Sequence, residues 1–205
     1  MPKIDLKKEL KHLYRPSARK VVLVDVPEMN FLMVDGWGDP NISQAFQDAV
    51  EALYGVSYGV KFGLKKQGLG PDYTVMALEG LWWMADGRDF DMEAKDEWQW
   101  TLMIMQPDHI TQEIVDIAMG QLQEKKNPPA LAKMRFEPFH EGLSAQIMHI
   151  GPYADEEPTI QKIHDFIEQQ GYRPRGKHHE IYLGDPQRTN PERLKTVLRQ
   201  PVEKK

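Results

Sequence analysis

The chain has 205 residues, enough for one large domain or two small halves that bury a sizeable core without covalent staples. It contains no cysteine, which excludes disulfides, zinc ribbons and thiol nucleophiles, and its net charge of −5 argues against a sequence-independent grip on nucleic acid, which needs a basic surface. No apolar run reaches membrane-spanning length and the N-terminus lacks the long apolar region of a secretory signal, so the expectation is a cytoplasmic protein with no membrane partner.

Residues 1–20 are basic and mixed, with Leu6, Leu10 and Leu13 at helical spacing and Pro16 ending any helix, and read as an N-terminal arm or short docking helix. Residues 21–26 form a β-branched run, 27–30 supply turn residues and 31–35 return as a second strand, which predicts a hairpin. After Gly36, Asn41 followed by Gln44 has the spacing of a capping box, and Ile42, Ala45, Phe46, Ala49, Val50 and Leu53 make one apolar stripe of a helix. Residues 61–72, rich in Gly and Lys, read as a loop into which that helix extends. Residues 73–84 and 97–105 read as strands parted by the polar turn 85–96.

A second helix is predicted from near Thr111, with Ile114, Ile117, Ala118 and Leu122 on one face and Lys125 and Lys126 at its end, where cations suit the dipole. The pattern then restarts. Residues 134–139 and 143–150 predict a second hairpin about 138–142, and Ile160, Ile163, His164 and Ile167 stripe a helix closed by Gly171. The last strands are 179–183 and 194–198. Gly36 with Gly151, Glu79 with Glu180, and Gln106-Pro107 with Gln200-Pro201 align the two stretches, the earlier copy carrying the longer loops. Residues 21–205 are therefore read as a single domain of two halves, 21–107 and 132–201, joined by a helix over 108–126. A seam between like halves is a common place for a cleft, and this alignment predicts that Glu79 and Glu180 approach one another across a pseudo-twofold axis.

The stretch from His178 to Pro186 carries the chemistry. Ile181 and Leu183 alternate with Glu180 and Tyr182, so a strand burying one face holds the carboxylate and the phenol together on the other. Such a carboxylate loses solvation, its pKa rises, and it becomes a proton acceptor near neutrality; the plainer role is a structural ion pair. Trp37, Tyr73, Trp82, Trp83, Trp98, Trp100, Tyr153 and Tyr182 are too many rings for one small core. Trp82 and Trp83 point to opposite sides of a strand, so at most one faces a cleft, whereas Trp98 and Trp100 share a face. Adjacent His178 and His179 point apart on a strand and no histidine shows ligand spacing, so neither a metal nor a cofactor is expected. Glu157 precedes a helix, where an acidic residue has a plain electrostatic role.

Several segments together carry a family likeness: residues 31–36 with Gly38-Asp39-Pro40, Leu53-Tyr54, Asp72-Tyr73, Leu78-Glu79-Gly80-Leu81-Trp82-Trp83, Trp98-Gln99-Trp100, His149-Ile150-Gly151-Pro152-Tyr153, His178 to Pro186, and residues 196–201. From about Lys8 to Pro201 the chain resembles the GyrI-like small-molecule-binding proteins. The resemblance implies an α+β fold, a tandem β-α-β-β repeat with pseudo-twofold symmetry and an antiparallel sheet, whose central aromatic cleft has a glutamate at its floor. Relatives include effector domains of multidrug-sensing regulators and a gyrase-inhibitory protein; stand-alone members are associated with hydrolysing cyclopropane-bearing, DNA-alkylating compounds. It also implies that a glutamate near Glu157 reaches the cleft, with Glu156 as the alternative. The catalytic candidates are then Glu180, Glu157, Tyr182 and Tyr153, and the substrate-binding candidates Trp37, Tyr73, Glu79, Trp82, Trp83, Trp100 and His178. Three roles stay open: a hydrolase of electrophilic cyclopropanes, a non-catalytic binder of aromatic compounds, and a protein-interaction role. The expected partner is a small aromatic or electrophilic molecule, and the expected state a monomer or homodimer.

Overall fold

In the computed structural model, which describes residues 3–88, 90, 91 and 93–205, two long strands carry the architecture. β1 (Val22–Trp37) and β4 (Arg135–Ile150) are each sixteen residues long and pair antiparallel with one another, from Val22 opposite Gln146 to Met33 opposite Arg135. Both stand where hairpins were expected, and both expectations fail for one reason. Pro27 and the Pro138 to Gly142 stretch are turn signals locally, but the ladder between the halves continues past them. Pro27 has no N–H to give and Gly142 takes a φ of 70°, so each marks an irregularity within a strand rather than its end.

Beyond these come β2 (Leu78–Met84), β3 (Trp98–Gln106), β5 (Tyr172–Pro174), β6 (His178–Tyr182) and β7 (Lys195–Lys204). The sheet runs β4-β1-β3-β2-β6-β7, and a further β4–β7 pairing brings it round on itself, with β5 on the far part of β7. The order is the same read from either half: β1, β3, β2 on one side and β4, β7, β6 on the other, meeting at β2–β6. The fold is thus an α+β tandem repeat on a curled antiparallel sheet.

Each half lays one helix on the outer face. α3 (Gln44–Gln67) buries Ala49, Ala52, Leu53, Val56 and Val60 against the first half. Its cap is Ser43, whose hydroxyl accepts from the Phe46 N–H at 3.3 Å, two residues later than the expected Asn41. Asn41 instead folds back on Asp39, and Ile42 is exposed. α5 (Glu157–Gln169) buries Ile163 and Ile167 in a second cluster with Ala145, Ile147 and Leu198, and the chain leaves it at Gly171 with a φ of 76°. α4 (Gln112–Lys125), capped by Thr111, buries Val115 and Ala118 and leaves the expected core residue Ile117 outside, so its apolar face is rotated from the predicted stripe. Two single turns, α1 (Leu6–Glu9) and α2 (Lys11–Tyr14), form the N-terminal arm and bury Leu13 and Tyr14. Among the described residues no helix is long and apolar enough to cross a membrane.

Candidate functional site

β2 and β6 lie side by side at the meeting of the halves, with Gly80 directly opposite Glu180, Leu78 opposite Tyr182 and Trp82 opposite His178. Opposed residues share a face, so His178, Glu180 and Tyr182 stand with Trp82 on one side and Glu79, Leu81, His179 and Ile181 on the other. Glu180 also faces Leu198, which packs in the α5 cluster, and the side of Trp82 is the helix-covered outer side. The expected approach of Glu79 to Glu180 is therefore overturned. Their places in the two strands differ by one residue, and one residue turns a side chain through the sheet.

The counterpart of Glu180 is Gly80, and its missing side chain matters. A Cβ there would stand 2.7 Å from Trp82 Nε1, so only glycine lets the indole lie over the strand. Trp82 Nε1 donates to the Tyr182 hydroxyl at 3.2 Å, and that hydroxyl donates to Glu180 Oε2 at 2.7 Å. His178 Nε2 stands 3.3 Å from Glu180 Oε1. Glu180 is 7% exposed, and burial, reinforced by the neighbouring Glu180, holds the Tyr182 phenol protonated well above its ordinary range.

A second carboxyl joins it. Glu156 occupies the N-cap of α5 but makes no capping bond; it is 1% exposed, and burial with the neighbouring Glu180 pushes it up to about 9. Thr196 stands on β7 across from Tyr182. Burial and the nearby Glu180 both favour the protonated form of the Glu156 carboxyl. Tyr153, in the short turn before α5, sets its ring edge-on to Tyr182 at 5.5 Å, and burial with Glu156 and Glu180 raises its phenol to about 12. Tyr54 of α3 and Asp185 complete this rim. Glu156 Oε1, Thr196 Oγ1 and His178 Nε2 are buried without hydrogen-bond partners among the described residues.

Glu157, the expected partner, is exposed. It opens the first turn of α5, where one step rotates a side chain by about 100°, and of the adjacent pair it is Glu156 that turns inward. Trp82, Tyr182, Tyr153, Glu180 and His178 do come together. Trp100 lies on the same face but is sealed in a ring cluster: Phe46 stands against it at 5.5 Å and against Trp82 at 6.2 Å, Trp98 meets Trp82 at 5.3 Å, and Phe90 covers Trp98 at 4.9 Å and His178 at 5.4 Å. The expected hollow walled by indoles is at this end a packed core, and the half-buried phenols Tyr153 and Tyr182 form the accessible edge.

The other candidates lie elsewhere. Trp37 is 64% exposed at the end of β1. Tyr73 is buried beside His109, on a segment bridged to Ile4. Trp83 faces the inner side, where Lys177 Nζ sits 3.2 Å from its ring centroid. Glu79 belongs to a buried inner network: Tyr14 donates to its Oε1 at 2.9 Å, His179 Nε2 meets its Oε2 at 3.0 Å, and His179 Nδ1 meets Glu141 Oε1 at 2.9 Å. Arg199 reaches Glu141, Gln146 and the Leu13 carbonyl. Burial drives the Glu141 carboxyl up, yet His179 and Arg199 outweigh it and hold it at about 2; burial opposes charge on His179, yet Glu141 and Glu79 raise it to about 9.

Sequence reading missed Tyr14, Glu141 and Arg199, which lie in three separate segments with no shared motif. It also missed Tyr54, Phe46 and Thr196 as neighbours of the site. Tyr54 stands one step off the apolar stripe of its helix, the angle from which a side chain leans over the edge of a core.

A family profile described as a GyrI-like small molecule binding domain matches residues 19–203. A conserved protein from Listeria innocua is 41% identical, with a TM-score of 0.91, over 98% of this chain and 100% of that one. A second Listeria innocua structure, described as a hydrolase, is 41% identical with a TM-score of 0.87 over the same shares. The EcmrR C-terminal domain shares the fold at 12% identity, with a TM-score of 0.54 over 91% of this chain and 98% of that domain. No curated protein matches the chain.

Proposed function

Since the chain belongs to the GyrI-like small-molecule-binding family, we propose that its seam between the halves takes up small planar electrophiles and opens a strained cyclopropane ring with water. The observation that carries this reading is the buried pair Glu156 and Glu180: Glu180 accepts the Tyr182 phenol hydrogen bond, Tyr153 stands against that phenol, and Glu156 beside them holds its proton to about 9. A carboxyl kept protonated by burial, beside a second carboxyl that accepts a phenol hydrogen bond, supplies an acid and a base in one site. Glu180 accepts a proton from the attacking water as its oxygen bonds to the ring methylene. The strained carbon–carbon bond breaks, its electron pair moves into the conjugated carbonyl, and that oxygen takes the proton of Glu156. Tyr153 and Tyr182 part to admit the planar body and stack along it. That a relative at 41% identity is described as a hydrolase supports the reading.

The test is turnover of a cyclopropane-bearing alkylator followed by mass spectrometry. Glu180→Gln and Glu156→Gln should each lower formation of the hydrated, ring-opened product by about a hundredfold or more. If both variants bind the substrate and form product at the wild-type rate, the mechanism is wrong. A second reading, a non-catalytic binder, is favoured by the accessible phenol edge of Tyr153 and Tyr182; it predicts unchanged compound retained stoichiometrically by the wild type.

A further inference from the structure

The molecule has a cavity on the opposite side of the sheet from Glu180. It is a groove of about 600 Å³ at the open end of the inner face, walled by Met148, Ile150, Leu183, Pro16, Ala18 and Tyr14. Register places these residues: Ile150 lies opposite Lys195, Met148 opposite Val197, and the N-terminal arm is tied alongside by the Met148 N–H donating to the Ser17 carbonyl at 3.0 Å. Tyr14 closes the floor with its hydroxyl turned away toward Glu79, so the groove meets its ring and not that carboxyl.

The rim is wholly of one sign. Lys7, Arg15 and Lys195 line it, no acidic side chain does, and none of the three has an ion pair among the described residues. Three uncompensated cations around an apolar trough on a chain of net charge −5 form a local field opposed to that of the whole. Its volume suits a small organic ligand, and half-exposed Ile150 leaves apolar surface for one to cover.

We propose that this groove binds an amphipathic monoanion, an apolar body carrying one carboxylate or sulfonate. The body lies along Met148, Ile150 and Leu183, and the head sits between Arg15 and Lys195, with Lys7 across the rim. Arg15 gives a planar fork that matches carboxylate and sulfonate oxygens, while the lysines act as point charges. The seam beside Glu180 presents carboxyls and phenols instead, so the two sites select opposite charge and the proposal stands without the hydrolase reading.

The experiment is calorimetric titration of the full chain with naphthalene-2-sulfonate and decanoate, with decyltrimethylammonium as the charge-reversed control. Both anions should bind saturably in the micromolar range, more weakly as salt rises, and the cation should not compete. Arg15→Glu and Lys195→Glu, both at exposed positions that leave folding intact, should each weaken the anions about tenfold, and Glu180→Gln should leave them unchanged. The proposal is overturned by absence of saturable anion binding, by displacement of the anions by the cation, by charge-reversed variants within twofold of wild type, or by loss of anion binding in Glu180→Gln.

Discussion

At Glu156 the sign of the pH dependence follows from the direction of its shift. The carboxyl is raised from 4.5 to about 9, so its contribution to stability is intact below about 4.5 and is lost as pH rises through about 9. Glu156→Gln removes that loss: the variant should match wild type near pH 4 and exceed it at pH 9 by a few kcal/mol at most, read from urea midpoints at the two pH values. Deepest in the inner network, Arg199→Met leaves Glu141 and Gln146 without their guanidinium. Breaking one partner of a buried pair costs about 3–5 kcal/mol, and chemical denaturation would show it. Tyr182→Phe should keep the fold but remove the hydroxyl that donates to Glu180 Oε2 and accepts from Trp82, and should lower kcat for ring opening more than it raises KM, read from initial rates across substrate concentration.

At the scale of elements, glycines set how closely strands and rings approach. A Cβ at Gly36 of β1 would fall 2.1 Å from the Trp100 ring on β3, inside a core with no room to yield. Gly36→Ala should therefore cost about 1–3 kcal/mol or more, measurable as a lowered thermal midpoint together with altered Trp fluorescence. Helices and core were largely legible in the residues: Leu53, Ile163 and Ile167 fall on predicted stripes and are buried, and α4 starts beside Thr111 as expected. The two hairpins were not. Proline and glycine report local backbone preference, whereas the continuation of β1 and β4 is decided by pairing between residues more than a hundred positions apart, such as Leu32 and Phe136.

For the whole molecule, the inner network ties the N-terminal arm to both halves, since Leu13, Tyr14, Glu79, Glu141, His179 and Arg199 share one chain of bonds. His179, raised from 6.5 to about 9, contributes fully below 6.5 and loses its contribution as pH rises through about 9. Glu141, lowered from 4.5 to about 2, contributes above 4.5 and loses it as pH falls through about 2. With Glu156 adding to the alkaline loss from about pH 4.5 upward, stability should be greatest near pH 4.5 and decline on both sides, in denaturant midpoints taken from about pH 2 to 9. Deleting residues 1–14 strips Glu79 of its phenol and Arg199 of the Leu13 carbonyl, and should destabilise both halves in one cooperative step.

Alone, the order of residues determined which side chains belong together on a strand: Glu180 with Tyr182, Trp98 with Trp100, Trp82 apart from Trp83. That follows from the two-residue pleat, which needs no partner to be read. Which strand lies beside which, and in what register, was decided only when the chain closed on itself. It put Gly80 rather than Glu79 opposite Glu180, drew Glu156 inward in place of Glu157, and sent Glu79 to the far side among Tyr14, His179 and Arg199. Register depends on burial summed over many distant contacts, and a shift by one residue exchanges the two faces of the sheet.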